Sequence, residues 1–325
     1  MLTKQECLPE DMMETAVPVQ VSAPGRFILF GDHAPDYGEP AIAVAVDMRV
    51  KCTATLSNRF TVNGEPMEQG KHPHARAAVI GGWTDMDKPL ALTLESGIPP
   101  GHGLGTEPAT TVACLGAISM LHDHLIFEQV AKSAFDAFSE MDSSCSPLDT
   151  SVSAHGGAVM VDTSPGESTL WTVKSKRQIW HLSEVSLGNP EFVMGYSGRP
   201  SNASEMRAKL RRFHDRNSFA RDLVRDLGKI PREGRLALEK NNPERIGELM
   251  NMSQKILQNL GLGTPELDKM IKAASRHSYG AKLTGGGGCM VALARDPGKA
   301  AEAIRGAGGT AILLQLAREG VRPED

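Results

Sequence analysis

Three glycine-rich stretches, set far apart along the chain, constrain the fold more than any other feature. The first runs from Ala23-Pro24-Gly25-Arg26 across an apolar segment to Gly31-Asp32-His33-Ala34. The second is Pro99-Pro100-Gly101-His102-Gly103-Leu104-Gly105, and the third is Lys282-Leu283-Thr284-Gly285-Gly286-Gly287-Gly288-Cys289. Pro99 to Gly105 leads straight into a helical pattern with a small apolar face, Ala109, Val112, Ala113, Gly116 and Ala117. Glycines let backbone approach a phosphate closely, and a helix N-terminus adds free N–H groups and a positive dipole end.

The chain has 325 residues and is 40% hydrophobic, enough for a large core and a length that suggests about two domains. A net charge of −4 argues against nucleic-acid binding, which favours a basic face. The five cysteines are scattered without a CxxC pair, which reads as reduced thiols of a cytoplasmic protein and not as a disulfide framework or zinc site. No apolar run approaches the roughly 18 residues of a membrane span, and no basic-then-apolar start marks a signal peptide. Residues 1–20 are acidic and aperiodic and read as a disordered leader.

Pattern predicts strands over 27–30, 41–46, 51–56 and 90–95, and helices over 71–80, 106–121 and 127–141. A strand pattern returns over 151–161, and the polar loop 163–167 is the expected domain boundary. Beyond it come strands at 170–173 and 192–196, and long helical patterns at 202–227, 243–260 and 265–277. Strands at 290–294 and 310–316 close the chain around a short helix at 298–306. Strands and helices interleave in both halves, as in a mixed α/β or α+β chain.

In this order and spacing the three stretches resemble the signature motifs of the GHMP small-molecule kinases, and the first resembles the mevalonate kinase branch. That branch reads A-P-G-K and then G-E-H-A-x-x-Y-G; this chain has Arg26 for the Lys and Asp32 for the Glu, and keeps His33, Ala34, Tyr37 and Gly38. The resemblance covers roughly residues 21–295. It implies an α+β, two-domain GHMP kinase fold. A ribosomal protein S5 domain 2-like, ATP-binding N-terminal domain would span 21–165, and a ferredoxin-like C-terminal domain 166–325. The active site would lie in the cleft between them.

The implied roles follow residue by residue. Asp149, in Ser146-Pro147-Leu148-Asp149-Thr150, is the general base, and Arg26 stands beside the reacting hydroxyl within salt-bridge reach of it. A guanidinium stays charged, so its part is electrostatic. Asp32, His33, Thr150, Gly285 and Gly286 serve the substrate. Pro99, Pro100, Gly101, His102, Gly103, Leu104, Gly105 and Thr106 form the ATP phosphate loop. The family continues this loop with two serines where this chain has Thr106 and Glu107, and carries a metal-binding glutamate where this chain has Phe138. Glu107, with Asp136 or Glu140, is the expected replacement ligand for Mg²⁺; alternatively, Thr106, Glu107 and Pro108 are first-turn helix chemistry, with Thr106 as N-cap. The third loop is shorter than the family's.

The implied activity is ATP-dependent phosphorylation of the 5-hydroxyl of mevalonate. The alternatives are a sister kinase acting on a phosphorylated mevalonate, which needs an extra basic pocket, and a catalytically degenerate ligand-binding relative. ATP and Mg²⁺ are the expected cofactors and a small molecule the expected partner, with no nucleic acid and no membrane. Oligomeric state is open between monomer and homodimer. His72 and His74 read as surface residues, and the basic run from Arg207 to Arg225 reads as a solvated face, with phosphate binding by a few of its residues as the alternative.

Overall fold

The computed structural model describes residues 17–99, 101, 103–141, 145–166, 168–175, 178–198 and 203–324. Pro100 and His102 of the expected phosphate loop, and residues 1–16 of the expected leader, lie outside them.

Two sheets organise the chain. The first is nine-stranded and is built on two long neighbours, β1 (Val19–Phe30) and β2 (Ala41–Leu56), paired antiparallel from Val19↔Ala54 to Phe30↔Ile42. Both strands are almost wholly buried over 21–30 and 41–46, and within them 27–30 and 41–46 read as continuous apolar runs instead of alternating ones. A left-handed His33 (φ 62°), a single 3₁₀ turn at Ala34–Tyr37 and Gly38 reverse the chain between them.

The short strands β3 (Thr61–Val62) and β4 (Glu65–Pro66) sit at one edge. They are followed by α1 (Pro73–Gly82), β5 (Leu90–Ser96), α2 (Thr106–Met120), α3 (Phe127–Met141) and α4 (Leu148–His155). Then come β6 (Ala158–Asp162), β7 (Thr169–Lys174) and β8 (Ile179–Val185). Helix α2 packs directly on β1 and β2 and is buried along most of its length. Gly116 makes that approach fit: a methyl group there would stand 2.7 Å from Val321 Cγ2 and 2.8 Å from Val21 Cγ1.

The second sheet is four-stranded and antiparallel, in the order β10 (Ser278–Thr284), β11 (Cys289–Ala294), β9 (Phe192–Tyr196), β12 (Thr310–Leu314). Its helices are α5 (Ala203–Arg216), α6 (Ser218–Glu239), α7 (Pro243–Asn259), α8 (Pro265–Ala274) and α9 (Pro297–Gly306). An antiparallel sheet backed by helices agrees with the expected α+β class. The single pattern expected over 202–227 is two helices. Asn217 breaks it with extended backbone and caps α6 by accepting the Phe219 N–H. Phe27 of β1 meets Phe192 of β9 edge to face at 5.0 Å, so the two sheets share a core.

Three features depart from the sequence reading. β1 begins at Val19, inside the expected leader. β7 and β8 follow the expected boundary at 165, yet β8 pairs with β6 and β7 with β8, so both belong to the first sheet. The chain passes to the second sheet after Val185, and at its end β13 (Arg322–Pro323) returns to pair with β1. Residues 151–155, expected to open the strand over 151–161, belong instead to α4 (Leu148–His155), which Pro147 begins at a φ of −75° already suited to a helix.

Candidate active site

Arg26 lies on β1 and is 9% exposed. Its Nε donates to Asp149 Oδ1 at 2.7 Å and its Nη2 to Asp149 Oδ2 at 2.6 Å, a two-pronged ion pair with the first turn of α4. The third prong, Nη1, donates to the Gly103 carbonyl at 2.8 Å, and the Arg26 backbone N–H donates to the Leu104 carbonyl at 2.7 Å. The first motif, the phosphate loop and the segment carrying Asp149 therefore converge on one guanidinium. Gly105 is required at its position: its φ is +74°, and a methyl group there would stand 3.2 Å from Arg26 Cγ. Burial alone would raise the Asp149 carboxyl; the guanidinium outweighs it and holds the pKa below the usual carboxylate range. Burial likewise opposes the charge on Arg26, and Asp149 reverses the effect.

Two cavities meet at this ion pair. The first, about 120 Å³, is also bounded by Gly31, Asp32, His33 and Gly285. The second, about 330 Å³, is also bounded by Gly101, Gly103 and Gly105 of the second glycine stretch and by Thr106 and Glu107. Arg26, Cys145, Ser146, Asp149, Arg207 and Gly286 line both. The smaller pocket thus carries the first motif and the larger one the second glycine stretch, with an ionised carboxylate and two guanidinium groups between them.

The expected site residues distribute as follows. His33 lines the first cavity, and its Nε2 is buried with no partner among the described residues. Burial holds its imidazole below the ordinary value, against the pull of Asp32. Asp32 is buried and engaged on both oxygens: Oδ1 accepts the Gly285 N–H at 3.0 Å, and Oδ2 faces Lys282 Nζ at 2.6 Å. Thr150 lines the second cavity, with its hydroxyl turned back to the Pro147 carbonyl. Leu104 is buried in the core and takes part through its backbone, and Pro99 lines neither cavity.

The N-cap of α2 is Gly105, with no side-chain cap; Thr106 is the first helical residue. Glu107 opens onto the second cavity, its side chain 72% exposed and Oε2 3.9 Å from His74 Nε2. Asp136 and Glu140 do not reach it. They share a face of α3, but that face is exposed, whereas Phe138 turns into the cavity and stacks on His74 with ring centres 5.0 Å apart. Among the described residues no group of three His, Cys, Asp or Glu side chains is placed to hold a metal ion.

Sequence reasoning missed Arg207, His74 and Lys282. Arg207 sits in a charged helix indistinguishable by pattern from a solvated one. His74 acquires its place through Phe138 and Glu107 on two other helices. Lys282 had a visible signal, a lysine in the middle of an apolar strand, where a charge requires a partner.

Comparison with known proteins places the chain in a family. Residues 235–311 match the family model described as GHMP kinases C terminal. A mevalonate kinase of Pyrococcus abyssi is 32% identical, over 94% of this chain and 98% of that protein. Among solved structures, a Lin0012 protein from Listeria innocua superposes with a TM-score of 0.83 at 17% identity, covering 95% of this chain and all of that one. The L. major mevalonate kinase in complex with R-mevalonate superposes with a TM-score of 0.73 at 18% identity, covering 93% of this chain and 97% of that one. With a relative of this identity along nearly its whole length, the chain belongs to the mevalonate kinase family of GHMP kinases.

Proposed function

We propose that this protein transfers the terminal phosphoryl group of ATP to the 5-hydroxyl of mevalonate. The observation that carries the reading is the shared wall. A nucleotide in the larger cavity would end its phosphates at Arg26, Asp149 and Arg207, and an acceptor hydroxyl from the smaller cavity would arrive at the same atoms. Phosphoryl transfer depends mainly on such positioning and on charge stabilisation, through a transition state that is largely dissociative.

In this reading Asp149 accepts the proton of the attacked hydroxyl. Arg26 keeps that carboxylate ionised and aimed, and offers positive charge to the transferring group. Arg207, which lines both cavities, adds a second guanidinium at the junction. The first cavity is lined by the cations Arg26 and Arg207, and Arg26 is already bound by Asp149. An acceptor without a phosphate suits this better than a phosphorylated one, which needs a further basic pocket.

The family implies Mg²⁺. The residues present fit a cation that arrives on the nucleotide: Glu107 offers one open carboxylate beside the phosphate loop, and Mg²⁺ is commonly held by one or two carboxylates plus substrate phosphates. When bound it would neutralise phosphate charge. No helix among the described residues is long and apolar enough to cross a membrane. None of the described cysteines, Cys52, Cys114, Cys145 and Cys289, is in a disulfide, which supports placing the reaction in the cytoplasm.

The deciding experiment is a coupled ATPase assay across mevalonate, its 3- and 5-phosphates, galactose and homoserine. Turnover with mevalonate alone is the expected result. Preference for a phosphorylated mevalonate reassigns the acceptor, and no turnover with any of them makes this a degenerate relative.

A further inference from the structure

The structure assigns Lys282 and Asp32 as a positioning pair that clamps the third glycine loop against the second, and so fixes the wall between the two cavities. The assignment rests on the kinase reading above for its consequence in catalysis, but not for its geometry.

Lys282 lies on β10 of the second sheet, and Asp32 follows β1 of the first. Nζ and Oδ2 stand 2.6 Å apart, and both side chains are 0% exposed. The ammonium also donates to the carbonyls of Ile28, at 3.2 Å, and Leu283, at 2.5 Å. One residue on, Thr284 Oγ1 accepts the Ile28 N–H at 2.9 Å and donates to the Ile28 carbonyl at 3.1 Å. The other oxygen of Asp32 takes the Gly285 N–H. The end of β1 and the end of β10 are thus tied by one carboxylate, one ammonium and one hydroxyl, all dry.

The consequence reaches the site. Gly285 has a φ of +60°, and a methyl group there would stand 3.0 Å from the Gly103 carbonyl, so the two glycine loops are in contact. That same carbonyl accepts Arg26 Nη1. Displacing Gly285 therefore disturbs Gly103, then Arg26, then Asp149. Lys282 lines neither cavity, and both oxygens of Asp32 are occupied, so the pair acts on substrate through the loops. The resemblance to the family assigned Asp32 to direct substrate orientation; the geometry gives it this indirect part.

A buried charge without its partner is strongly destabilising, whereas replacing both partners together is often neutral. This separates stability from positioning. The experiment compares wild type, Lys282→Met, Asp32→Asn and the double variant. It measures Tm, mevalonate kcat/KM, and amide hydrogen exchange of Gly285 to Gly288. The single variants should lose Tm. The double variant should regain most of it, yet keep kcat/KM for the acceptor down by about tenfold or more and exchange the loop amides faster by a similar factor. Where the single variants do not fold, the double carries the test. A double variant with restored Tm, wild-type loop exchange and wild-type kcat/KM overturns the assignment and leaves the pair as a fold-stabilising contact only. Wild-type protein inactive on mevalonate would sink the kinase reading instead, and the exchange measurement would still judge the clamp.

Discussion

At the scale of single residues, the ion pair between Arg26 and Asp149 makes the sharpest prediction. Asp149→Asn keeps the shape and removes the charge and the proton-accepting capacity. Turnover should fall by about 10²–10⁴-fold, the usual value of a general base, while nucleotide affinity measured by calorimetry stays close to wild type. Near-normal turnover would take Asp149 out of the mechanism. Glu107 gives a second test. Because Gly105 caps α2 without a side chain, Glu107→Ala should leave Tm nearly unchanged. It should raise the Mg²⁺ concentration needed for half-maximal rate and weaken binding of the Mn²⁺–nucleotide complex, followed by electron paramagnetic resonance. A gain of nucleotide affinity in Glu107→Ser would instead mark the carboxylate as an obstruction to phosphate. Arg26, Asp149 and the loop glycines were named through the resemblance of their stretches to family motifs, and the structure brings them together at one junction. Arg207 and His74 were not legible, because nothing local distinguishes an arginine or histidine facing a cavity from one facing water.

At the scale of elements, the helices show where pattern is enough and where it is not. Helix α2 was readable from its row of small residues, and its tight seat on β1 and β2 explains them. Gly116→Ala places a methyl group 2.7 Å from Val321 Cγ2, too close without movement of β13 or the helix. Overpacking of this kind costs about 1–3 kcal/mol, so urea unfolding should show a loss in that range with an unchanged m-value. A neutral effect would mean that the end of the chain yields freely. Helix α4 was misread because its eight residues include Thr150 and Val152, whose branched side chains suit a strand, and because Gly156-Gly157 suggests a turn between strands. Its helical start is set by Pro147 and by the pull of Arg26 on Asp149, a long-range contact that periodicity cannot register. The same holds for α3: the shared face of Asp136 and Glu140 is real, but only the packed structure decides that Phe138, not that face, looks into the cavity.

At the scale of the whole molecule, two sheets meet along a dry seam, and the site is built on that seam. The expected boundary at 165 followed a polar loop, a sound local signal; beyond it β7 pairs with β8 and β8 with β6, so the first sheet continues to Val185 before β9 begins at Phe192. The seam also has a consequence for acid stability. His33 is set between Asp32, Arg207 and Lys282, and burial, the largest influence, keeps its imidazole below the ordinary 6.5. A histidine freed by unfolding takes up a proton near that pH, while the buried one does not. Below about pH 6.5 the unfolded state therefore binds more protons, and stability must decline as pH falls through the window between 6.5 and the lower folded value. Asp149, whose folded pKa is depressed, contributes stability that is present above its ordinary 3.8 and lost only at lower pH, so it leaves that window alone. Urea unfolding at pH 7.5, 6.5 and 5.5 should show a falling stability in wild type. His33→Gln, which keeps a polar group and removes the titration, should flatten the slope between the two lower values. An equal slope in both proteins would assign the acid sensitivity to other groups and leave His33 as a neutral wall of the acceptor cavity.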